Sequence, residues 1–119
     1  MIIIDQKLLD SFKEPGACSY CGAWLEQLDP HHILCRGMGG GGRIDLSINI
    51  VALCRTPCHS MAQANNISRP YLFELVAKRE KIKDAVKMAD LVTLIRNSPK
   101  GAYTGGQIEE MIQELRGGA

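Results

Sequence analysis

Aromatic side chains are scarce in this 119-residue chain: one Trp, three Tyr and two Phe, 5% of the total. A core made mostly of aliphatic residues at this length is thin, and small thin cores usually need a staple. Long apolar runs are also missing. Nothing approaches the roughly 18–20 residues of a membrane span, and the opening "MIII" has neither the length, the basic lead nor the cleavage site of a secretory signal. The expected setting is therefore the cytoplasm, with no membrane partner, where disulfides rarely persist. Strong net charge is absent as well, at +1 overall, so bulk charge does not argue for a polyanionic partner. The remaining composition, 45% hydrophobic and 23% charged, is that of an ordinary globular protein, and the length fits one small domain with at most one extension.

The charge is unevenly placed. Residues 1–30 carry two basic and five acidic side chains, residues 31–100 eleven and five, and residues 101–119 one and three. The basic middle favours a nucleic-acid partner over an even distribution, although solvated helix faces would look the same.

Five cysteines in a cytosolic chain are better read as metal ligands or buried thiols than as disulfides. Cys18-x-x-Cys21 and Cys54-x-x-x-Cys58 are two chelating pairs, each spaced so that both thiolates can face one ion. Together they predict a structural Zn²⁺ site that contributes directly to folding. Cys35 is left over and reads as a small apolar filler.

Periodicity predicts a short helix over 5–13, short strands over 23–28 and 31–35, and a flexible "GMGGGG" loop. A loosely alternating segment, 44–53, leads to Cys54, and a helix is expected from about Cys58 to Asn65. Residues 70–97 have helical composition, as one helix or two, with Pro70 suited to a first helical position. Thr104 and Gln107 form a T-x-x-Q capping box ahead of an apolar stripe at Ile108, Met111, Ile112 and Leu115. That stripe could pack on the core or pair two copies of the chain as a homodimer. The expected division is a zinc-stapled core, 1–68, and a helical C-terminal extension, 69–119.

The stretch "DPHHILCRGMGGGG" sets His31 and His32 side by side. Adjacent residues on a strand point to opposite faces, so the two imidazoles would not share one ion. His59 follows Cys58 directly, so a metal on Cys58 would fix the neighbouring ring. "HHILCRGMGG" followed by "NIVALCRTPCH" resembles the HNH endonucleases, a group within the His-Me finger or ββα-metal nucleases. The resemblance covers roughly residues 18–63 and needs His, Asn, His and two cysteine pairs in one order.

The resemblance implies an α+β fold: a small ββα-metal core stapled by the four-cysteine zinc site, with the α-helical extension behind it. It implies metal-dependent hydrolysis of DNA phosphodiester bonds. His32 would be the general base, Asn49 would bond across the hairpin and hold His32, and His31 and His59 would bind a catalytic Mg²⁺ or Mn²⁺, with Zn²⁺ or Ni²⁺ compatible. Three positions depart from the pattern. Cys35 sits where Pro is common, the second cysteine pair is one residue longer than CxxC, and Gln63 stands where another His or Asn ligand is common. Gln63 could still offer a carbonyl oxygen. Arg36, Arg43 and Arg55 lie near enough in sequence to contact phosphates. The main rival is a zinc-binding interaction module without catalysis, its Cys and His residues divided between two structural zincs. A second is a nuclease fold that has kept only DNA binding.

Overall fold

The computed structural model describes residues 1–34 and 43–117. Cys35, Arg36 and the glycine run lie outside the described residues.

Asp5 caps the first helix, α1 (Gln6–Ser11), by accepting from the Leu8 N–H, and only Leu9 of that helix is buried. A small antiparallel pair follows, β1 (Gly16–Ala17) with β2 (Trp24–Leu25). Between them the chain turns tightly at Gly22, whose φ of +80° lies in the left-handed region that glycine enters without a Cβ penalty. The second antiparallel pair is β3 (Asp29–His32) with β4 (Ile50–Leu53), in the register Asp29↔Leu53 to His32↔Ile50. The sequence of β4, Ile-Val-Ala-Leu, does not alternate in polarity, and all four residues are buried, as expected of a strand covered on both faces. Each large side chain buried there is worth about 1.5–3 kcal/mol in transfer free energy.

After β4 the chain makes an irregular turn over Arg55–His59, with Thr56 extended, before α2 (Ser60–Gln63). Within that turn only Thr56 departs from helical backbone angles, so helical backbone is present from near Cys58, as expected, and α2 continues it to Gln63. The order strand, loop, strand, helix is thus present in an α+β architecture.

Residues 70–97 form two helices, α3 (Arg69–Glu80) and α4 (Ala85–Asn97). The break falls at Lys81, which closes α3 in the left-handed conformation, and Asp84 caps α4 through the Lys87 N–H. Ser68 caps α3, so Pro70 occupies its second position. α5 (Gly105–Leu115) opens with Thr104 and Gln107 bonding reciprocally, the expected capping box. One buried cluster runs from Cys18 through β4, Leu72, Val76, Met88, Val92 and Ile95 to Ile108 and Ile112. The apolar stripe of α5 thus turns Ile108 and Ile112 into the chain's own core. Arg79 ties α3 to the hairpin by donating to the Ile50 carbonyl at 2.8 Å and to that of Ser47. Arg116 ties α5 to the end of α3 by donating to the Glu80 carboxylate at 2.7 Å and its carbonyl at 2.9 Å. Among the described residues no helix is long and apolar enough to cross a membrane.

Candidate metal centre and histidine cleft

The β1–β2 turn delivers Cys18 and Cys21, and the end of β4 with the following turn delivers Cys54 and Cys58. Their sulfurs all lie within 4.8 Å of one another, with Cys21 and Cys54 at 4.0 Å. A tetrahedron of thiolates with metal–sulfur bonds near 2.3 Å has edges of about 3.8 Å, so the cluster already has the size of a zinc shell. Cys18, Cys54 and Cys58 are buried and Cys21 is exposed. Burial pushes the thiols of Cys54 and Cys58 above the usual range. Burial also opposes ionisation of Cys18, but hydrogen bonds from the backbone of Cys21, Cys54 and Tyr20 outweigh it and bring that thiol down to about 7. Four clustered sulfurs with no disulfide among them suit a metal ion such as zinc, whose charge would remove the cost of ionising them.

The turn after Cys54 carries the second site. Its geometry is set by the cluster: the His59 N–H bonds back to the Cys54 carbonyl at 2.8 Å, which places the imidazole over β3. There it meets His31, the ring centroids 5.3 Å apart and the planes at 72°. Two imidazoles sharing one ion at metal–nitrogen distances near 2.1 Å would have centroids about 5 Å apart. The Nδ1 of His59 is bonded to Asp29 at 3.1 Å, which leaves Nε2 as its open nitrogen. Asp29 also accepts from Arg55, at 3.1 and 3.3 Å. The Arg55 guanidinium and His59 hold the Asp29 carboxyl below the ordinary range against the opposing effect of burial. Burial, reinforced by the charges of His59 and His32, pushes the His31 imidazole down to about 4, so at neutral pH its lone pair is available to a ligand.

His31, His32 and His59 line one open cleft of about 340 Å³, together with Gln63, Asn65 and Arg69. His32 has a different partner from the other two rings: its Nε2 lies 2.7 Å from the Asp45 carboxylate, which is fully buried. Burial disfavours that carboxylate, but Arg43, the Asp5 N–H and His32 outweigh it and keep Asp45 below the usual carboxylate range.

Searches of family models, curated proteins and solved structures found no match to this chain. The site is accordingly interpreted from its own chemistry.

The four cysteines named from spacing converge. His31, His59 and Gln63 share the cleft, with His32 beside them. Asn49 is buried and bonds across the hairpin, but to backbone: it accepts from the Leu34 N–H at 2.8 Å and donates to the Leu34 and Ile44 carbonyls at 3.0 Å. The side chain on His32 is that of Asp45. Arg43 and Arg55 are bound to Asp45 and Asp29, and Arg36 lies outside the described residues. Two residues at the site were not singled out for it from sequence: Asp29 and Asp45. Strand alternation carried a signal for Asp29, two residues before His31 and so on the same face. Asp45 had none, because its meeting with His32 depends on how segments 13 residues apart come together.

Proposed function

We propose that this protein is a metal-dependent endonuclease of the HNH kind that hydrolyses DNA phosphodiester bonds. The observation that carries the reading is the open cleft where the His31 and His59 rings stand 5.3 Å apart with His32 alongside, mounted on a four-cysteine cluster. The cysteine cluster would hold a structural Zn²⁺. His31 and His59, with Gln63 available as an oxygen donor, would hold a second divalent cation, Mg²⁺ or Mn²⁺ in the cell. Bound there, such an ion supplies positive charge to the scissile phosphate and to the departing oxygen.

The chain's own residues do the rest. His32 takes a proton from a water aimed at phosphorus. The resulting hydroxide forms the new P–O bond, the bond from phosphorus to the 3′ oxygen breaks, and that oxygen leaves with its electron pair and is protonated by solvent. The products are a 5′-phosphate and a 3′-hydroxyl. Arg69, exposed at the cleft edge, is placed to contact a phosphate oxygen. In the rival reading, a zinc-binding module without catalysis, the same four-sulfur cluster would hold one structural zinc and the histidines would help to hold a second.

Incubation of the purified protein with plasmid and branched DNA under Mg²⁺, Mn²⁺ or EDTA tests this. Metal-dependent cleavage is expected, and His32→Ala should lower the rate on the order of 10²–10⁴-fold while DNA binding persists. Cleavage that is absent with every metal, or unchanged in His32→Ala, would refute the assignment.

A further inference from the structure

The Asp45 carboxylate has no exposed surface and is surrounded by donors. Oδ1 accepts from Arg43 Nε at 2.9 Å, and Oδ2 accepts from the Asp5 N–H and from Arg43 Nη2, each at 2.8 Å. A backbone N–H and a guanidinium can only donate. The remaining neighbour, His32 Nε2 at 2.7 Å from Oδ1, faces an acceptor-only group and must donate as well. A neutral imidazole has one N–H, so placing it on Nε2 leaves the lone pair on Nδ1. Nδ1 has no protein partner among the described residues, and His32 lines the cleft.

We propose that Asp45 is the positioning residue for His32: its buried carboxylate fixes the Nε2–H tautomer and the ring's orientation, so that Nδ1 is the nitrogen that receives the proton from water. The inference rests on the nuclease reading of the cleft and adds to it the group that prepares the base. Arg43 and the Asp5 N–H serve this arrangement by holding the carboxylate from its other sides. Asp45→Asn would disturb it specifically. A carboxamide offers one oxygen to donors arriving from two sides, and an NH₂ turned toward His32 would favour the opposite tautomer, with the proton on Nδ1 and no lone pair where the base needs it.

Two measurements test this. In zinc-loaded wild-type protein at mildly alkaline pH, long-range ¹H–¹⁵N correlation of the histidine rings should show His32 protonated at Nε2 and bare at Nδ1. The reverse pattern overturns the proposal, and this result needs neither a substrate nor a folded variant. In steady-state cleavage, Asp45→Asn should lose kcat on the order of 10²–10⁴-fold with KM and DNA affinity unchanged, the pattern of a base held in the wrong tautomer. A folded Asp45→Asn protein with wild-type kcat overturns it. If the wild-type chain cuts no DNA with any metal, the nuclease reading fails, while the tautomer still decides whether Asp45 holds His32 as described.

Discussion

Replacing Asn49 by Ala separates two jobs that this residue could have. Its amide is fully buried and makes three hydrogen bonds, all to backbone groups at the two ends of the 35–42 segment. Alanine removes the three together. A net contribution of about 1 kcal/mol per bond, with a further 1–2 kcal/mol for a buried carbonyl at Ile44 left without a donor, gives a loss of about 4–5 kcal/mol. A domain of this kind is stable by about 5–15 kcal/mol in total, so the variant would keep between none and about three-quarters of its margin. Urea unfolding followed by circular dichroism reads this directly. With an m-value of about 1–3 kcal/mol per molar for small proteins, the midpoint should fall by roughly 2 M. Asn49 makes no bond to His32, so any loss of cleavage should follow the loss of folded protein and return under stabilising conditions. A midpoint within about 0.5 M of wild type would refute the staple argument. A variant that melts like wild type but does not cleave would show that Asn49 acts on the base after all.

Metal analysis should find one tightly held zinc per chain. Stripping it should abolish cooperative melting, because structural zinc in small domains is worth about 10–16 kcal/mol, as much as a whole domain's stability. Two tight zincs, or a melt indifferent to chelation, would contradict the single four-sulfur site. Glu80 gives a pH test away from the cleft. Burial raises its carboxyl, but Arg79, Ser47 and Arg116 outweigh this and hold it below its ordinary 4.5. Because the folded value is the lower one, the stability it contributes is fully present above about pH 5 and is lost as pH falls through 4.5 and below. Glu80→Gln should therefore be less stable than wild type at pH 7 by about 1–3 kcal/mol, and the gap should narrow progressively as pH falls below 4.5. A gap that stays constant with pH in urea melts would exclude the ion pairs with Arg79 and Arg116 as its source.

The parts of this molecule that were legible in the sequence are those fixed by neighbours along the chain. The cysteine pairs are local chelates. Thr104 and Gln107 bond within one helical turn, whereas segment 44–53, read as loosely alternating, ends in a strand, Ile50–Leu53, that other elements cover on both faces. What was not legible depends on distant chain segments. No Gly or Pro marks the break between α3 and α4; Lys81 takes the left-handed conformation there, and only Asp84 as a cap hints at it. Arg55 binds a carboxylate 26 residues away, at Asp29, whereas the partner of Arg43, Asp45, stands two residues on, a spacing that alone does not separate an ion pair from a free arginine. Asp29 and Asp45 reach the histidines from 30 and 13 residues away.

Those two carboxylates give the three imidazoles three different environments, although two of the rings are adjacent. His59 has Asp29 on one nitrogen, His32 has Asp45, and His31 has no carboxylate among the described residues and is driven neutral by burial. Strand alternation is the root of the division: it turns His31 toward Asp29 and His59, and His32 toward Asp45. In the nuclease we propose, each environment matches a job. A carboxylate on the far nitrogen of a metal-binding imidazole fixes its orientation and raises its basicity, and a carboxylate on the far nitrogen of a base chooses its tautomer. Both acids would repel a phosphodiester if they stood alone. Each carries an arginine, Arg55 on Asp29 and Arg43 on Asp45, so their charge is neutralised where they act and Arg69 is left as the cation lining the cleft.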